Sequence, residues 1–155
     1  ARTQQVAFAA LASKLAYSTP EIARRMADGV FDEVVMARPD DHPASAGRVV
    51  LCYRHFPEKD KDDEVYVAFR GSVTVDDVIA DITAPITTTA CYGVHAGFHQ
   101  RARIIGATLL DELTKRYNVI LCGHSLGGAA AAVRTLSLLI EFPPALCFEG
   151  RLRCI

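Results

Sequence analysis

The residues with the clearest chemical potential are 123–127, which read Gly-His-Ser-Leu-Gly. An apolar run at 118–122 precedes them, and an alanine-rich run at 128–133 follows them. A strand, this Gly-x-Ser-x-Gly pattern and a helix, in that order, are typical of a sharp turn that lifts a serine hydroxyl above a sheet edge. Small residues two positions before and after the serine let the backbone fold that tightly. Ser125 is therefore predicted to be a nucleophile for acyl transfer, and a Ser-Gly turn without chemistry is the alternative.

Acyl transfer also needs hydrogen-bond donors where a carbonyl oxygen becomes negative. The N–H of Leu126 follows the serine directly and lies at the start of the predicted helix, where the helix dipole is positive. Leu126 is therefore predicted to contribute its backbone N–H to an oxyanion hole. This chemistry requires no cofactor and no metal.

Composition excludes several other classes of protein. The 155 residues are 50% hydrophobic and carry a formal net charge of −1, which permits one sizeable core and gives no positive excess for nucleic acid. No apolar run reaches the ~18 residues of a membrane span, so no transmembrane segment is predicted. The start of the chain has neither a methionine nor the apolar core of a signal peptide, so we expect it to begin inside a longer protein.

The cysteines indicate a reducing compartment. They are odd in number and form no C-x-x-C pair, so reduced thiols and the absence of a zinc site are the simplest interpretation. Together with the missing signal peptide, this predicts a cytoplasmic or peripheral membrane location. The five cysteines are Cys52, Cys91, Cys122, Cys147 and Cys154.

Hydrophobic periodicity predicts strands that alternate with helices, and hence an α/β fold with a mostly parallel central sheet covered by helices on both faces. Thr19 and Pro20 mark the start of the second helix, and Gly29 follows its end. Within the helix at 95–117, the predicted buried stripe is Ile104, Ile105, Leu109, Leu110 and Leu113. The predicted helices are 6–17, a short one from Thr19, 95–117 and 126–141, and the predicted strands are 31–37, 48–56, 65–69, 118–122 and 151–155.

Three motifs make the chain resemble the class 3 lipases, an α/β-hydrolase family that includes fungal triacylglycerol lipases and diacylglycerol lipases. They are Val-Ala-Phe-Arg-Gly-Ser at 67–72, Val-His-Ala-Gly-Phe at 94–98 and Gly-His-Ser-Leu-Gly-Gly at 123–128. The resemblance implies that Ser72 is the second oxyanion-hole residue, through its backbone N–H and its hydroxyl. It also implies a lid at 73–81, where Val78 stands in place of the family's usual tryptophan and Asp81 is retained.

The family places a catalytic Asp and then a His after the nucleophile, yet the 30 residues that follow Ser125 contain neither. Glu141 and Glu149 are the downstream carboxylates, and both are interpreted as surface charges. The triad Asp and His are therefore expected beyond this chain, which would make residues 1–155 a single, incomplete N-terminal domain. A strand that ends at Ile155 would leave an unpaired apolar sheet edge, which supports the same expectation.

Other residues are compatible with three further interpretations. His95 and His99 could chelate zinc on one helix face, but the glutamate of the peptidase motif is missing. Asp76, Asp77 and Asp81 could suggest glycoside hydrolysis, but clustered carboxylates are more often solvated. The serious rival is a catalytically inactive, lipase-like binding or regulatory module, because fold persists more readily than chemistry.

The sequence as a whole favours a serine hydrolase acting on tri- or diacylglycerol-like lipid esters. The expected partner is a lipid ester at a membrane or droplet surface, with no nucleic acid involved. Without its Asp and His, the chain alone is expected to be nearly inactive.

Overall fold

The computed structural model describes residues 2–37, 48–58, 62–71, 86–89, 92–95, 99, 102–141 and 151–155. The helices in these ranges are α1 (Arg2–Leu15), α2 (Pro20–Ala27), α3 (Ala107–Thr114) and α4 (Leu126–Glu141). The strands are β1 (Glu33–Ala37), β2 (Val49–Arg54), β3 (Glu64–Phe69), β4 (Ile86–Thr89), β5 (Tyr92–His95), β6 (Asn118–Gly123) and β7 (Leu152–Cys154). No helix in the described part of the chain is both long and apolar enough to cross a bilayer.

Local sequence signals define the two N-terminal helices. The Thr19 hydroxyl accepts a hydrogen bond from Ile22 N at 3.4 Å, and Pro20 occupies the first turn of α2, where its missing N–H does no harm. Gly29 follows the helix with a φ of 70°, a conformation that glycine adopts readily. The predicted second helix is confirmed, and α1 begins four residues earlier than predicted, at Arg2.

The main sheet has the order β1-β2-β3-β6-β7. β3, β6 and β7 are parallel neighbours, whereas β1, β2 and β3 pair antiparallel. The predicted α/β fold is therefore confirmed, with a mixed sheet in which the parallel pairings lie around β6. In the antiparallel half, each strand pairs with its neighbour in the sequence, β1 with β2 and β2 with β3.

Helices cover both faces of this sheet, as predicted. Alternate residues of β3 face opposite sides: Val65, Val67 and Phe69 join the core beneath α3 and α4, while Tyr66 and Ala68 join the core beneath α1 and α2. All six residues of β3 are buried, which is typical of a central strand.

Three of the five cysteines lie in described residues, and all three are free thiols, as predicted. Cys52 and Cys122 are buried in the core beneath α1, and Cys154 is exposed. Burial raises the pKa of both buried thiols to about 12, so they stay protonated and unreactive at neutral pH. Cys91 and Cys147 lie outside the described residues.

The predicted continuous helix at 95–117 is wrong. His95 belongs to β5, which pairs antiparallel with β4, and the described helix begins after Gly106, whose extended backbone (φ −63°, ψ 149°) caps α3. The apolar residues of 95–117 have helical spacing, which led to the prediction of one helix. Short apolar runs do not show whether they belong to a single helix or to several separate elements. Within α3, Leu110 and Leu113 face the core as predicted, but Leu109 is 45% exposed.

A histidine–carboxylate pair lies at the end of the sheet where β3 begins. His55 Nδ1 is 2.7 Å from Asp63 Oδ2, and Asp63 Oδ1 accepts a hydrogen bond from Phe56 N. The hydrogen bond to Asp63 raises the pKa of His55, with further support from Asp32 and Glu33, and it lowers the pKa of Asp63. Both side chains are substantially exposed, so solvent screening limits the pair to below ~1 kcal/mol.

This pair predicts a small pH dependence of stability. Because the pKa of His55 is raised in the folded state, its contribution is complete below the unfolded value of about 6.5 and is lost as pH rises through the folded value. Raising the pH from about 6 to about 9 is therefore expected to lower Tm by about 1–2 °C through this pair. Thermal unfolding of the wild type and of Asp63→Asn across this range checks it, since the variant lacks this component. Identical pH profiles for the two proteins would contradict the assignment.

Candidate active site

Ser125 lies in the turn between the end of β6 and the start of α4, so the predicted strand-to-helix elbow is present. Its φ is 56°, and it is the one non-glycine residue with positive φ among the described residues. A serine held in this left-handed region costs on the order of 1–3 kcal/mol, and such strain is concentrated at functional sites. The side chain is exposed, so a reactant can reach its hydroxyl.

The two glycines of the motif are required by the close approach of backbone segments. A Cβ on Gly123 would lie 2.3 Å from the carbonyl carbon of Gly127, and a Cβ on Gly127 would lie 2.1 Å from the carbonyl oxygen of Phe69. Real Cβ atoms do not approach backbone atoms so closely. The missing side chains therefore let α4 start directly against the ends of β6 and β3.

The first turn of α4 places backbone amides beside Ser125. Gly127 N donates to His124 O at 3.0 Å, and Gly128 N donates to Ser125 O at 2.9 Å. Within the described residues, the N–H of Leu126 has no backbone acceptor. It belongs to the first turn of a 16-residue helix, where the dipole favours negative charge. The geometry is compatible with the predicted role of Leu126 as an oxyanion donor.

Ser72, the second predicted oxyanion residue, lies outside the described residues, as do the predicted lid at 73–81 and Glu149. The residue before Ser72 is described and lies against the elbow: a Cβ on Gly71 would be 2.6 Å from His124 O and 3.1 Å from Gly127 N. The parallel register pairs Phe69 with Gly123, which brings the end of β3 to the nucleophile turn.

Tyr17 is a neighbour of the elbow that the sequence analysis missed. Its hydroxyl accepts a hydrogen bond from Gly71 N at 3.0 Å and lies 3.3 Å from His124 O, to which it donates. Its ring meets the His124 ring edge to face, with centroids 6.2 Å apart. In the sequence, a tyrosine just after a helix looks like any aromatic residue of the core. No sequence pattern therefore marked Tyr17 as a neighbour of the nucleophile turn.

Among the described residues, the side chains of His55, His99 and His124 form no hydrogen bond with Ser125. His124 contacts Tyr17, and His55 is bound to Asp63 at the opposite end of the sheet. His95 lies in β5, so it does not share a helix face with His99, and the zinc arrangement considered above is not formed. Among the described residues, no group of three or more His, Cys, Asp or Glu side chains could hold a metal ion.

An apolar cavity of about 500 Å³ opens beside the elbow, between α1 and the end of β7. It borders the His124 side of the turn. Its lining comprises Val6, Ala9, Ala10, Ser13, Lys14, Tyr17, Gly123, His124 and Ile155.

The sequence has recognisable relatives among lipases. A family profile described as lipase (class 3) matches residues 66–155. The chain is 36% identical to a Rhizomucor miehei lipase over 88 residues, which are 51% of this chain and 24% of that protein. It is 31% identical to diacylglycerol lipase-beta of Mus musculus over 98 residues, which are 54% of this chain and 14% of that protein.

Solved structures extend the likeness to the whole fold. The Rhizomucor miehei triacylglyceride lipase superimposes with a TM-score of 0.67 at 22% identity, covering 99% of this chain and 60% of that one. A fungal lipase solved in complex with an inhibitor gives a TM-score of 0.61 at 24% identity, covering 91% of this chain and 57% of that one. The chain has the α/β-hydrolase fold and spans about three fifths of the length of these lipases.

Proposed function

Because the chain belongs to the class 3 lipase family, we propose that Ser125 is the nucleophile of a hydrolase that cleaves carboxylic esters of lipids through an acyl-serine intermediate. The observation that carries this proposal is the strained, exposed backbone of Ser125 (φ 56°) at the junction of β6 and α4. A purely structural turn would relax that strain by placing a glycine there.

In the proposed reaction, Ser125 Oγ attacks the carbonyl carbon of the ester while its proton passes to a base. The carbonyl oxygen becomes an oxyanion, which receives hydrogen bonds from the N–H of Leu126 and from Ser72. The bond to the alcohol then breaks, and the alcohol leaves with the proton returned by the base. Water attacks the acyl-serine in the same way, releasing the fatty acid and restoring the Ser125 hydroxyl.

The family's order places the acid and the base after the nucleophile, and no Asp or His follows Ser125 in these residues. We propose that they lie in sequence outside the 155 residues, which span 60% of the Rhizomucor miehei structure. The 155-residue chain is accordingly expected to turn over at least ~10⁴-fold more slowly than an enzyme with a complete triad. The same absence favours a second candidate, a lipase-like module that binds without hydrolysing.

Two measurements on the chain separate these candidates. The first is hydrolysis of p-nitrophenyl butyrate, which we expect to be close to background for both the wild type and Ser125→Ala. The second is covalent labelling by an alkyl fluorophosphonate with imidazole added as an external base. In this reaction Ser125 Oγ bonds to phosphorus, the P–F bond breaks, fluoride leaves and imidazole takes the proton.

Intact-protein mass spectrometry is expected to show one phosphonyl group on the wild type and none on Ser125→Ala. Ser18→Ala, which removes an unrelated serine hydroxyl, is the matched control and should label like the wild type. A dodecyl reagent should label faster than an ethyl reagent if the site accepts lipid chains, because each buried methylene contributes ~0.8 kcal/mol. A wild type that stays unlabelled at Ser125 would overturn the proposal and favour the binding module.

A further inference from the structure

We propose that the hydroxyl of Tyr17 is a positioning group, which holds the segment leading into Ser72 at a fixed distance from the nucleophile turn. The inference rests on the proposed function, because its consequence is the rate at which Ser125 reacts. The hydroxyl of Tyr17 forms hydrogen bonds with backbone atoms of Gly71 and His124. It acts through two backbone groups.

The hydrogen-bond directions at Tyr17 are fixed by its partners. Gly71 N–H can only donate, so the Tyr17 oxygen accepts from it at 3.0 Å. His124 O can only accept, so the Tyr17 proton points toward it across 3.3 Å. One hydroxyl therefore joins two peptide groups that follow the ends of different strands, β3 and β6.

The positions of these two peptide groups give the bridge its significance. Gly71 directly precedes Ser72, and His124 directly precedes Ser125. The His124 carbonyl belongs to the peptide that joins His124 to Ser125. The Gly71 N–H belongs to the peptide that joins Arg70 to Gly71, one residue before the peptide that leads into Ser72. A change in the separation of the two peptides changes the distance between the oxyanion hole and the nucleophile.

Sheet pairing does not fix this distance. The ladder between β3 and β6 ends at Phe69 and Gly123, so Gly71 and His124 lie beyond its last pair. The three groups nevertheless meet closely, because a Cβ on Gly71 would lie 2.5 Å from the Tyr17 hydroxyl oxygen and 2.6 Å from His124 O. The Tyr17 bridge continues the link between the strands past the point where the sheet stops.

Tyr17 is itself held firmly. It follows Leu15 and Ala16, both fully buried against the sheet. The Arg70 guanidinium lies 5.9 Å from the centre of its ring, and the His124 ring meets it from another side. The hydroxyl is therefore presented by a residue anchored next to the buried core, which suits a positioning role.

Tyr17→Phe removes the hydroxyl and keeps the ring, so it isolates the bridge from the packing. Both peptide groups lose their shared partner, and the segment from Gly71 to Ser72 is free to shift. Displacements near 1 Å at such sites slow reactions by up to ~100-fold, and we expect a decrease of about tenfold in the labelling of Ser125.

The test measures fluorophosphonate labelling of the 155-residue chain, with imidazole, at several reagent concentrations. We expect the maximal labelling rate of Tyr17→Phe to fall while the concentration giving half-maximal rate is unchanged, since a lost positioning group affects the transition state and leaves reagent binding intact. Tyr53→Phe is the matched control. Tyr53 lies in β2 and packs on Tyr117, with ring centroids 5.4 Å apart.

A second readout is independent of Ser125 chemistry. The Gly71 amide of Tyr17→Phe should exchange its hydrogen about tenfold faster or more, as seen by ¹⁵N NMR, while the amides of β3 and β6 keep their wild-type rates. If Gly71 exchanges at the same rate in Tyr17→Phe as in the wild type, the positioning role is overturned. The same holds if the wild type is labelled and Tyr17→Phe is labelled at the same rate. If the wild type is not labelled at all, the proposed function fails, and Gly71 exchange alone decides whether the bridge holds the two segments together.

Discussion

Replacing Gly127 by alanine is expected to lower the free energy of unfolding by ~3 kcal/mol or more, a large part of the 5–15 kcal/mol that stabilises a typical domain. The added methyl group would lie 2.1 Å from Phe69 O and 2.9 Å from Gly71 N. Both contacts are with backbone atoms, so no side-chain rotation relieves them.

The clash involves the central elements of the fold. Phe69 is buried at the end of β3, and Gly127 N is hydrogen-bonded to His124 O in the first turn of α4. Moving either segment by the required distance opens the core between the sheet and α4, or breaks the turn that holds Ser125. We therefore expect labelling of Ser125 to be lost together with stability.

Gly106→Ala is the matched control for this substitution. A Cβ on Gly106 meets nothing within 4 Å, and its φ of −63° suits alanine. Its stability should stay within ~1 kcal/mol of that of the wild type, because the lower entropy of the unfolded chain favours alanine while the N-cap position favours glycine. Thermal unfolding followed by far-ultraviolet circular dichroism is suitable because the chain has no tryptophan, and Gly127→Ala should melt at least ~6 °C lower. If the melting temperatures of Gly127→Ala and Gly106→Ala lie within 2 °C of each other, the two variants differ in stability by roughly half a kcal/mol. That result would contradict the steric argument.

Sequence reasoning was most successful where a local rule admits few alternatives. The elbow at Ser125 could be predicted because a strand must turn into a helix within two residues, and glycines on both sides are almost the only way to do so. The second helix could be predicted from Thr19 and Pro20 for a similar reason. Threonine is a favoured N-cap residue, and proline is favoured in the first turn of a helix.

It failed where the deciding interactions are distant in sequence. Tyr17 and His124 are 107 residues apart, and only the folded sheet brings them together. The helix predicted over 95–117 was wrong because strand pairing of His95 with Ile86 and the extended backbone of Gly106 both override helical spacing. The antiparallel half of the sheet depends on chain reversals that the apolar pattern of each strand does not encode.

A second large effect is expected at Glu64, which is 93% buried, with 7% of its surface exposed, and accepts hydrogen bonds from three side chains. Gln5 Nε2 donates to Oε1 at 2.7 Å, the Tyr66 hydroxyl donates to Oε2 at 2.7 Å, and Arg54 bonds to Oε2 at 3.3 Å. The carboxylate thus connects α1, β2 and β3 at the end of the sheet opposite Ser125. Burial and the hydrogen bond to Glu64 together raise the pKa of the Tyr66 phenol, so it remains a donor over the whole neutral range.

Glu64→Ala is expected to destabilise the protein by ~3 kcal/mol, because it leaves buried polar partners without an acceptor. The Tyr66 side chain is fully buried and cannot turn to water. The Arg54 guanidinium lies 3.7 Å from the centre of the Phe8 ring and would lose its carboxylate partner in a partly desolvated position. Glu64→Gln keeps the volume and one acceptor oxygen, so its loss should be nearer ~1 kcal/mol.

Lys115→Ala is the control that tests whether burial causes the expected effect of Glu64→Ala. Lys115 is 2.8 Å from Asp111 and 2.7 Å from Glu112, distances as short as those around Glu64, but its side chain is 57% exposed. Its removal should leave the free energy of unfolding close to that of the wild type, because solvent screens the ion pairs and ordering the long side chain opposes them. Urea unfolding of the three variants measures the order directly. If Glu64→Ala lowers the free energy of unfolding no more than Lys115→Ala does, the buried carboxylate stabilises the protein no more than an exposed ion pair. The proposed link between α1 and the sheet would then be incorrect.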